Sequence, residues 1–279
     1  MRLLAMLIAL GLHRFVLDGL SLQDPPWVQR WLEWFRRPGP ALLANSRFGA
    51  LALLAAPLLA VALLQDWLDA RLLALALGTV AVLWALGPGR IDRAAVAFVE
   101  ARDRGDGIGA QRLARAICAD EVPAAEPARS QTIARRLFVA ANSRTVAPLA
   151  WFLLLGPFGA VLYRCVAMLD RQSAYVPPEA VPGALRLRAL LDWPTARLTA
   201  FLFGLAGDYP ATRHAPPLAL DRELSDAAEI LVRSGEAATG SSAVDDDAVE
   251  AALLLVERVR LFVAVALAVL ALTVWAVAP

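Results

Sequence analysis

Four blocks of the chain carry no charged side chain over a length close to that of a membrane-spanning helix. They cover residues 48–64, 72–89, 145–163 and 261–279. A spanning α-helix needs roughly 17 to 25 predominantly apolar residues, and all four blocks meet or approach that length. Because these blocks are too long and too numerous for the core of a soluble domain, the sequence predicts an all-α, multi-pass helical membrane protein with polar helical loops.

The composition supports the same class. Of the 279 residues, 59% are hydrophobic and 19% are charged, whereas soluble domains have about 45 to 50% apolar and about 25% charged residues. All 27 basic residues are arginine, so lysine Schiff-base chemistry and a Walker-type phosphate-binding lysine are excluded. With a net charge of +1 and no basic stripe, no nucleic-acid partner is expected. The predicted partner is the lipid bilayer.

We interpret residues 1–279 as a single membrane domain. The expected membrane segments, four or five in number, are about 3–19, 48–64, 72–89, 145–168 and 259–278, and the polar helical regions are about 90–144 and 170–257. A signal peptide is the alternative for the first segment. No small-x-small cleavage site follows it directly, and the chain continues into an amphipathic aromatic run, so a membrane helix is favoured.

That aromatic run is typical of a helix lying in the membrane interface. Arginines are interspersed among its aromatic residues. The set is Trp27, Arg30, Trp31, Trp34, Phe35, Arg36 and Arg37. Arginine placement also predicts that the connection after the first segment and region 90–144 are cytoplasmic. Region 170–257 is periplasmic if residues 145–163 cross the membrane once, and cytoplasmic if they are re-entrant. The sequence leaves this sidedness open.

No metal or cofactor site is predicted. The only cysteines are Cys118 and Cys165 and the only histidines are His13 and His214, with no spacing that would bring them together. The acidic cluster Asp245 to Asp247 precedes an Ala/Leu-rich helix and is better explained as its N-terminal cap than as a divalent-metal site. The glycines between residues 105 and 109 follow a charged segment instead of a strand, which favours a turn over a nucleotide-binding loop.

The stretch from Asn142 to Asp170 is the most informative part of the chain. It contains Ala147-Pro148-Leu149, the glycine-proline break from Gly156 to Gly159, and Leu169-Asp170. Together with Leu191-Asp192-Trp193-Pro194 and residues 196–200, these residues resemble the AmpE family. The resemblance covers the chain from its first to its last predicted helix. It implies an inner-membrane protein that modulates β-lactamase induction, a response to antibiotic, and a protein of cell-wall recycling or envelope stress as its partner.

The same stretch is more distantly similar to CobD and CbiB, the membrane synthases of cobalamin formation. Just before the Ala-Pro-Leu run those synthases carry a Glu-Asn-x-x-Asp arrangement, where this chain has Val139, Ala140 and Ser143. Such carboxylates suit metal binding or proton transfer to a phosphorylated amine. Their loss predicts that the chain is not an enzyme. A synthase acting on a phosphorylated amino alcohol, or a carrier of cell-wall fragments, remains as the alternative.

The predicted ligand or polar cluster comes from these motif blocks. Its members are Asn142, Arg144, Gly156, Gly159, Tyr163, Arg164, Asp170, Asp192 and Arg197. A broken membrane helix can expose backbone amides to an anionic group, and Arg164 or Arg197 could add a bidentate contact. The structural alternative is that the arginines anchor helices at the interfaces or pair with Asp170. We expect Arg164, Asp170 and Arg197 to form one cluster near the break.

Overall fold

The computed structural model of the chain is built from helices. It describes residues 2–15, 26–34, 49–67, 71–87, 90–118, 122–123, 125–171, 176–214, 227–240 and 247–277. Every regular element within these ranges is helical, which confirms the all-α prediction. Residues 16–19 of the first predicted segment, Phe35, Arg36, Arg37, and residues 245 and 246 of the acidic cluster lie outside the described residues.

The helices of the first half of the chain are α1 Arg2–Phe15, α2 Pro26–Trp34, α3 Gly49–Trp67, α4 Arg71–Leu86, α5 Arg90–Asp103, α6 Gly107–Cys118 and α7 Ala128–Ala141. A π-helical turn, Asn142–Val146, follows α7. The helices of the second half are α8 Ala147–Leu155, α9 Pro157–Arg171, α10 Val181–Ala206, α11 Tyr209–His214, α12 Ala227–Thr239 and α13 Ala248–Val277, with a 3₁₀ turn at Pro178–Ala180 before α10.

Three stretches among the described residues are long and apolar enough to cross a membrane. They are Leu72–Asp103, which includes the undescribed residues 88 and 89, Ala128–Leu155 and Ala248–Ala276. Two shorter apolar helices, Arg2–His13 and Gly49–Gln65, overlap the predicted segments 3–19 and 48–64. The chain is an all-α membrane protein. The second of the three spans differs from expectation, because it begins at Ala128 inside the region interpreted as polar and runs through the π turn into α8.

The described residues pack as two compact units within the range 1–279. The first unit comprises residues 1–88, 147–192 and 266–279. In it α9 packs against α3, α4 and α8, and α1 packs against α4 and α8. The buried centre of this unit includes Leu53, Tyr163 and Val166. The predicted interfacial run contributes Trp31, which donates to the carbonyl of Leu53 at 3.2 Å and stacks on Trp34.

The second unit comprises residues 89–146 and 193–265. In it α5 packs against α6 and α7, α6 packs against α7, and α12 packs against α7 and α11. The core is centred on Phe138, whose ring meets Phe203 edge to face at 5.6 Å. Arginine-carboxylate pairs surround this core: Arg102 with Glu250, Arg135 with Glu236, and Arg260 with Asp92. The predicted glycine turn is confirmed, since Gly105 has φ +73° and Asp106 accepts from the Gly109 amide at 2.8 Å to start α6.

Candidate functional site

A hydrogen-bonded polar network lies within the first unit, where α9 meets α10. The hydroxyl of Tyr163 donates to Oδ1 of Asp192 at 2.7 Å, and Nε of Arg188 donates to Oδ2 of the same carboxylate at 2.6 Å. The Arg188 guanidinium carbon also lies 5.0 Å from the centre of the Tyr163 ring. We call Tyr163, Arg188 and Asp192 the triad. It joins two residues that the sequence predicted, Tyr163 and Asp192, with one that it did not.

The local sequence explains the geometry of the triad. Arg188 and Asp192 are four residues apart on α10, so both side chains lie on one face of the helix. Tyr163 reaches them from α9 and is only 1% exposed. A buried tyrosine hydroxyl needs a hydrogen-bond partner, and Asp192 provides it. Arg188 could therefore have been predicted from its four-residue spacing to Asp192, but only with the knowledge that residues 181–206 form one helix.

The surroundings of Arg188 keep its guanidinium charged. Burial lowers the pKa of Arg188, but Tyr163 and the carboxylates of Asp192 and Asp170 outweigh it and hold that pKa above its ordinary value. Asp170, another predicted site residue, thus lies within electrostatic reach of Arg188. The side chains of Arg188 and Asp192 retain 16% and 14% exposure, so this ion pair is mostly screened from solvent. A pair of this kind positions a side chain firmly and is strongly destabilised when one partner is removed.

The glycine-proline break from Gly156 to Gly159 is explained by packing. Gly156 ends α8 with φ +71°, a conformation that glycine adopts at little cost. A Cβ added to Gly159 would lie 2.1 Å from the carbonyl oxygen of Trp151. The amides of Gly159 and Ala160 both donate to the carbonyl of Gly156, at 3.0 and 3.4 Å. The amides of Gly159 and Ala160, at the predicted break, are thus used within the chain.

Arg164 lies at the end of α4. The residue after α4, Gly87, has φ +68°, and a Cβ there would lie 2.9 Å from Nη1 of Arg164. His13 from α1 places Nε2 3.0 Å from the Gly87 carbonyl oxygen. Arg164 is only 5% exposed, and a cation at a helix C-terminus meets the negative end of the helix dipole. This geometry gives Arg164 a capping role for α4.

The remaining predicted residues lie in the second unit. Asn142 is buried in the π turn, where its Oδ1 accepts a 3.0 Å hydrogen bond from Thr199 of α10. Arg144 is half-buried in the same turn. Arg197 folds back on its own helix, with its guanidinium carbon 4.1 Å from the Trp193 ring centre and Nη1 donating to the Trp193 carbonyl at 3.1 Å. The single cluster of Arg164, Asp170 and Arg197 stays a prediction, because Arg197 belongs to a different unit from the other two.

The triad is suited to recognition more than to proton transfer. Both oxygens of Asp192 accept hydrogen bonds from the chain, so the carboxylate is not presented as a free base. Among the ranges that the structure describes, no group of three His, Cys, Asp or Glu side chains is arranged to hold a metal ion. What the arrangement offers a ligand is the remaining N–H donors of Arg188 beside an aromatic ring.

Comparison with known proteins gives one match. The family model described as "Regulatory signalling modulator protein AmpE" matches residues 1–277. No curated protein and no solved structure matches the chain. The match covers all the described elements, including both motif blocks on which the sequence resemblance was based.

Proposed function

The chain belongs to the AmpE family, and on that basis we propose that it is a multi-pass protein of the inner membrane that modulates the induction of β-lactamase. The observation that carries the proposal is the family match over residues 1–277. A match of that extent includes both the membrane helices and the triad. The family description specifies a regulatory signalling modulator, and the cell-envelope response is the step that we add.

We assign the triad to recognition within this function, and we propose that the chain is not an enzyme. Val139, Ala140 and Ser143 occupy the positions where the resembling synthases have polar and acidic residues, and two of the three are apolar. Asp192 is committed to Tyr163 and Arg188. An ion pair that is already held in place costs little reorganisation when a partner is bound, and the remaining N–H donors of Arg188 can contact that partner, which suits a docking or sensing role. The proposed partner is a protein of cell-wall recycling or envelope stress.

A complementation experiment tests the proposal. The gene is introduced into a Gram-negative strain that has an inducible β-lactamase and lacks its own family member, and β-lactamase activity is measured with and without a β-lactam. We expect the chain to restore the parental ratio of induced to basal activity. An unchanged ratio, with the protein present in the inner membrane, would contradict the proposed function.

A second strain tests the claim that the chain is not an enzyme. In a host lacking the cobalamin-type membrane synthase, we expect no growth under conditions that require cobalamin synthesis. Growth restored by this chain would show that the missing carboxylates are dispensable. The enzyme alternative would then replace the regulatory one.

A further inference from the structure

A second feature of the first unit, away from the triad, is a cavity next to the glycine-proline break. It has a volume of about 190 Å³ and is lined by Arg2, Ala5, Gln65, Ala74, Leu77, Gly78, Phe152 and Pro157. Five helices meet there: α1 and α4 near their starts, α3 near its end, and α8 and α9 on either side of the break. Because helix ends lie at the polar boundary of a membrane segment, the cavity opens where the apolar and polar parts of the unit meet.

The walls of the cavity are apolar. Ala5, Phe152 and Pro157 are buried, and Leu77 is half-buried. The volume corresponds to about six water molecules at the roughly 30 Å³ that each occupies in the liquid, yet water needs two to four polar partners to remain in a cavity. A cavity with such walls is better filled by hydrocarbon, since apolar cavities of comparable size stay dry and accept apolar ligands.

The mouth of the cavity is cationic and polar. Arg2 and Gln65 are the two polar lining residues, and both are exposed. Arg2 donates one long hydrogen bond, 3.4 Å, to the carbonyl of Leu154. Within the described ranges no carboxylate forms an ion pair with Arg2, so most of its five N–H donors remain available. A guanidinium in this position is complementary to a phosphate group.

From these observations we propose that the cavity binds one anionic phospholipid, with the end of an acyl chain against Phe152 and Leu77 and the phosphate at Arg2. A polar mouth above an apolar cavity matches an amphiphile whose charge lies at one end. Gln65 supplies a neutral amide that can donate to the headgroup or accept from it. This site is independent of the triad and of the proposed regulatory function.

Titration of the full-length protein in detergent tests the headgroup contact. Binding of phosphatidylglycerol and of phosphatidylcholine with identical acyl chains is measured by native mass spectrometry. Both headgroups contain a phosphate, but the choline ammonium of phosphatidylcholine neutralises it and is repelled by Arg2, so we expect phosphatidylglycerol to bind about tenfold more tightly. Arg2→Gln removes this preference and Arg2→Lys retains most of it. Arg186→Gln, which changes an exposed arginine of α10 outside the cavity, retains it fully. Equal preferences in the Arg2→Gln and Arg186→Gln proteins would overturn the contact between Arg2 and an anionic headgroup.

Two further measurements test the acyl contact. Ala74→Leu extends a side chain into the cavity, whereas Ala76→Leu makes the same change at an exposed position of α4 that does not line it. We expect Ala74→Leu to weaken both lipids severalfold and Ala76→Leu to weaken neither. Glycerol phosphate is expected to bind far more weakly than phosphatidylglycerol. Equal binding of glycerol phosphate, or unchanged lipid binding by Ala74→Leu, would show that the cavity holds no acyl chain.

Discussion

At the scale of single residues, the triad depends on one carboxylate that has two partners. Asp192 accepts from Tyr163 and from Arg188 at the same time. Replacing Asp192 leaves a mostly buried cation without its counter-charge, while replacing Tyr163 removes only a neutral donor. The two changes are therefore expected to differ in cost although they break the same network.

Asp192→Asn is predicted to lower the free energy of unfolding by about 1.5 to 3 kcal/mol, and Tyr163→Phe by about 1 kcal/mol. Unfolding of the detergent-solubilised protein measures both values. Arg186→Gln serves as the control and should change stability by less than about 0.5 kcal/mol, since its side chain is exposed. Because the two residues share a hydrogen bond, the double variant should cost less than the sum of the single ones. Strict additivity would contradict the network.

The glycines of the break give a second prediction at this scale. Gly159→Ala places a methyl group 2.1 Å from a backbone oxygen, so the start of α9 must move and the protein should lose roughly 1 to 3 kcal/mol. Gly11→Ala, in α1, has no atom within 4 Å of the added methyl group and should be neutral or slightly stabilising. Similar midpoints of thermal unfolding for the two variants would contradict the packing described here.

At the scale of elements, the sequence predicted where helices would break better than where they would continue. Gly156 and Pro157 predicted the division between α8 and α9. Glycine readily adopts the left-handed backbone that ends a helix, and proline lacks the amide hydrogen that would continue it. The continuation of α7 through Asn142 to Val146 was missed. The polar residues of this segment indicate the end of a helix. In the structure, tertiary contacts such as the hydrogen bond from Thr199 bury Asn142 inside the second unit.

Thr199→Val tests the link between α10 and the π turn. The Thr199 hydroxyl donates both to the Thr195 carbonyl of its own helix and to Asn142, whereas the Thr132 hydroxyl of α7 donates to the Ala128 carbonyl of its own helix. Thr199→Val should therefore cost about 1 kcal/mol more than Thr132→Val. Amide hydrogen exchange should rise at the π turn in the first variant alone. Equal exchange in both would show that the bond does not hold the turn.

At the scale of the whole molecule, the fold class followed from the sequence because apolar blocks are a collective property of many residues. The candidate site could be predicted only in part. The sequence motifs identified Tyr163, Asp170 and Asp192, whereas identifying Arg188 required the helix register of α10 and its contact with α9. The pairing of Arg164 with the end of α4 depended on contacts between segments far apart in sequence. No local pattern contains such information.

The membrane assignment makes a direct prediction. Alkaline carbonate extraction of cell membranes should leave the full-length protein in the pellet. The reason is that its described spans are apolar helices of bilayer length, which carbonate does not extract from the bilayer. A peripheral protein of the same membrane, carried through the same extraction, should be released. Recovery of this chain in the supernatant would contradict its classification as a membrane protein.

Whether the triad serves the proposed regulatory function is tested most directly by β-lactamase induction at equal membrane abundance. Asp192→Asn, Arg188→Gln and the control Arg186→Gln are expressed in the strain lacking its own family member, and each is quantified in the membrane fraction before induction is measured. We predict that Arg186→Gln restores the parental ratio of induced to basal activity, while the two triad variants, present in equal amount, leave it at the level of the deletion strain. Parental induction by both triad variants would contradict the claim.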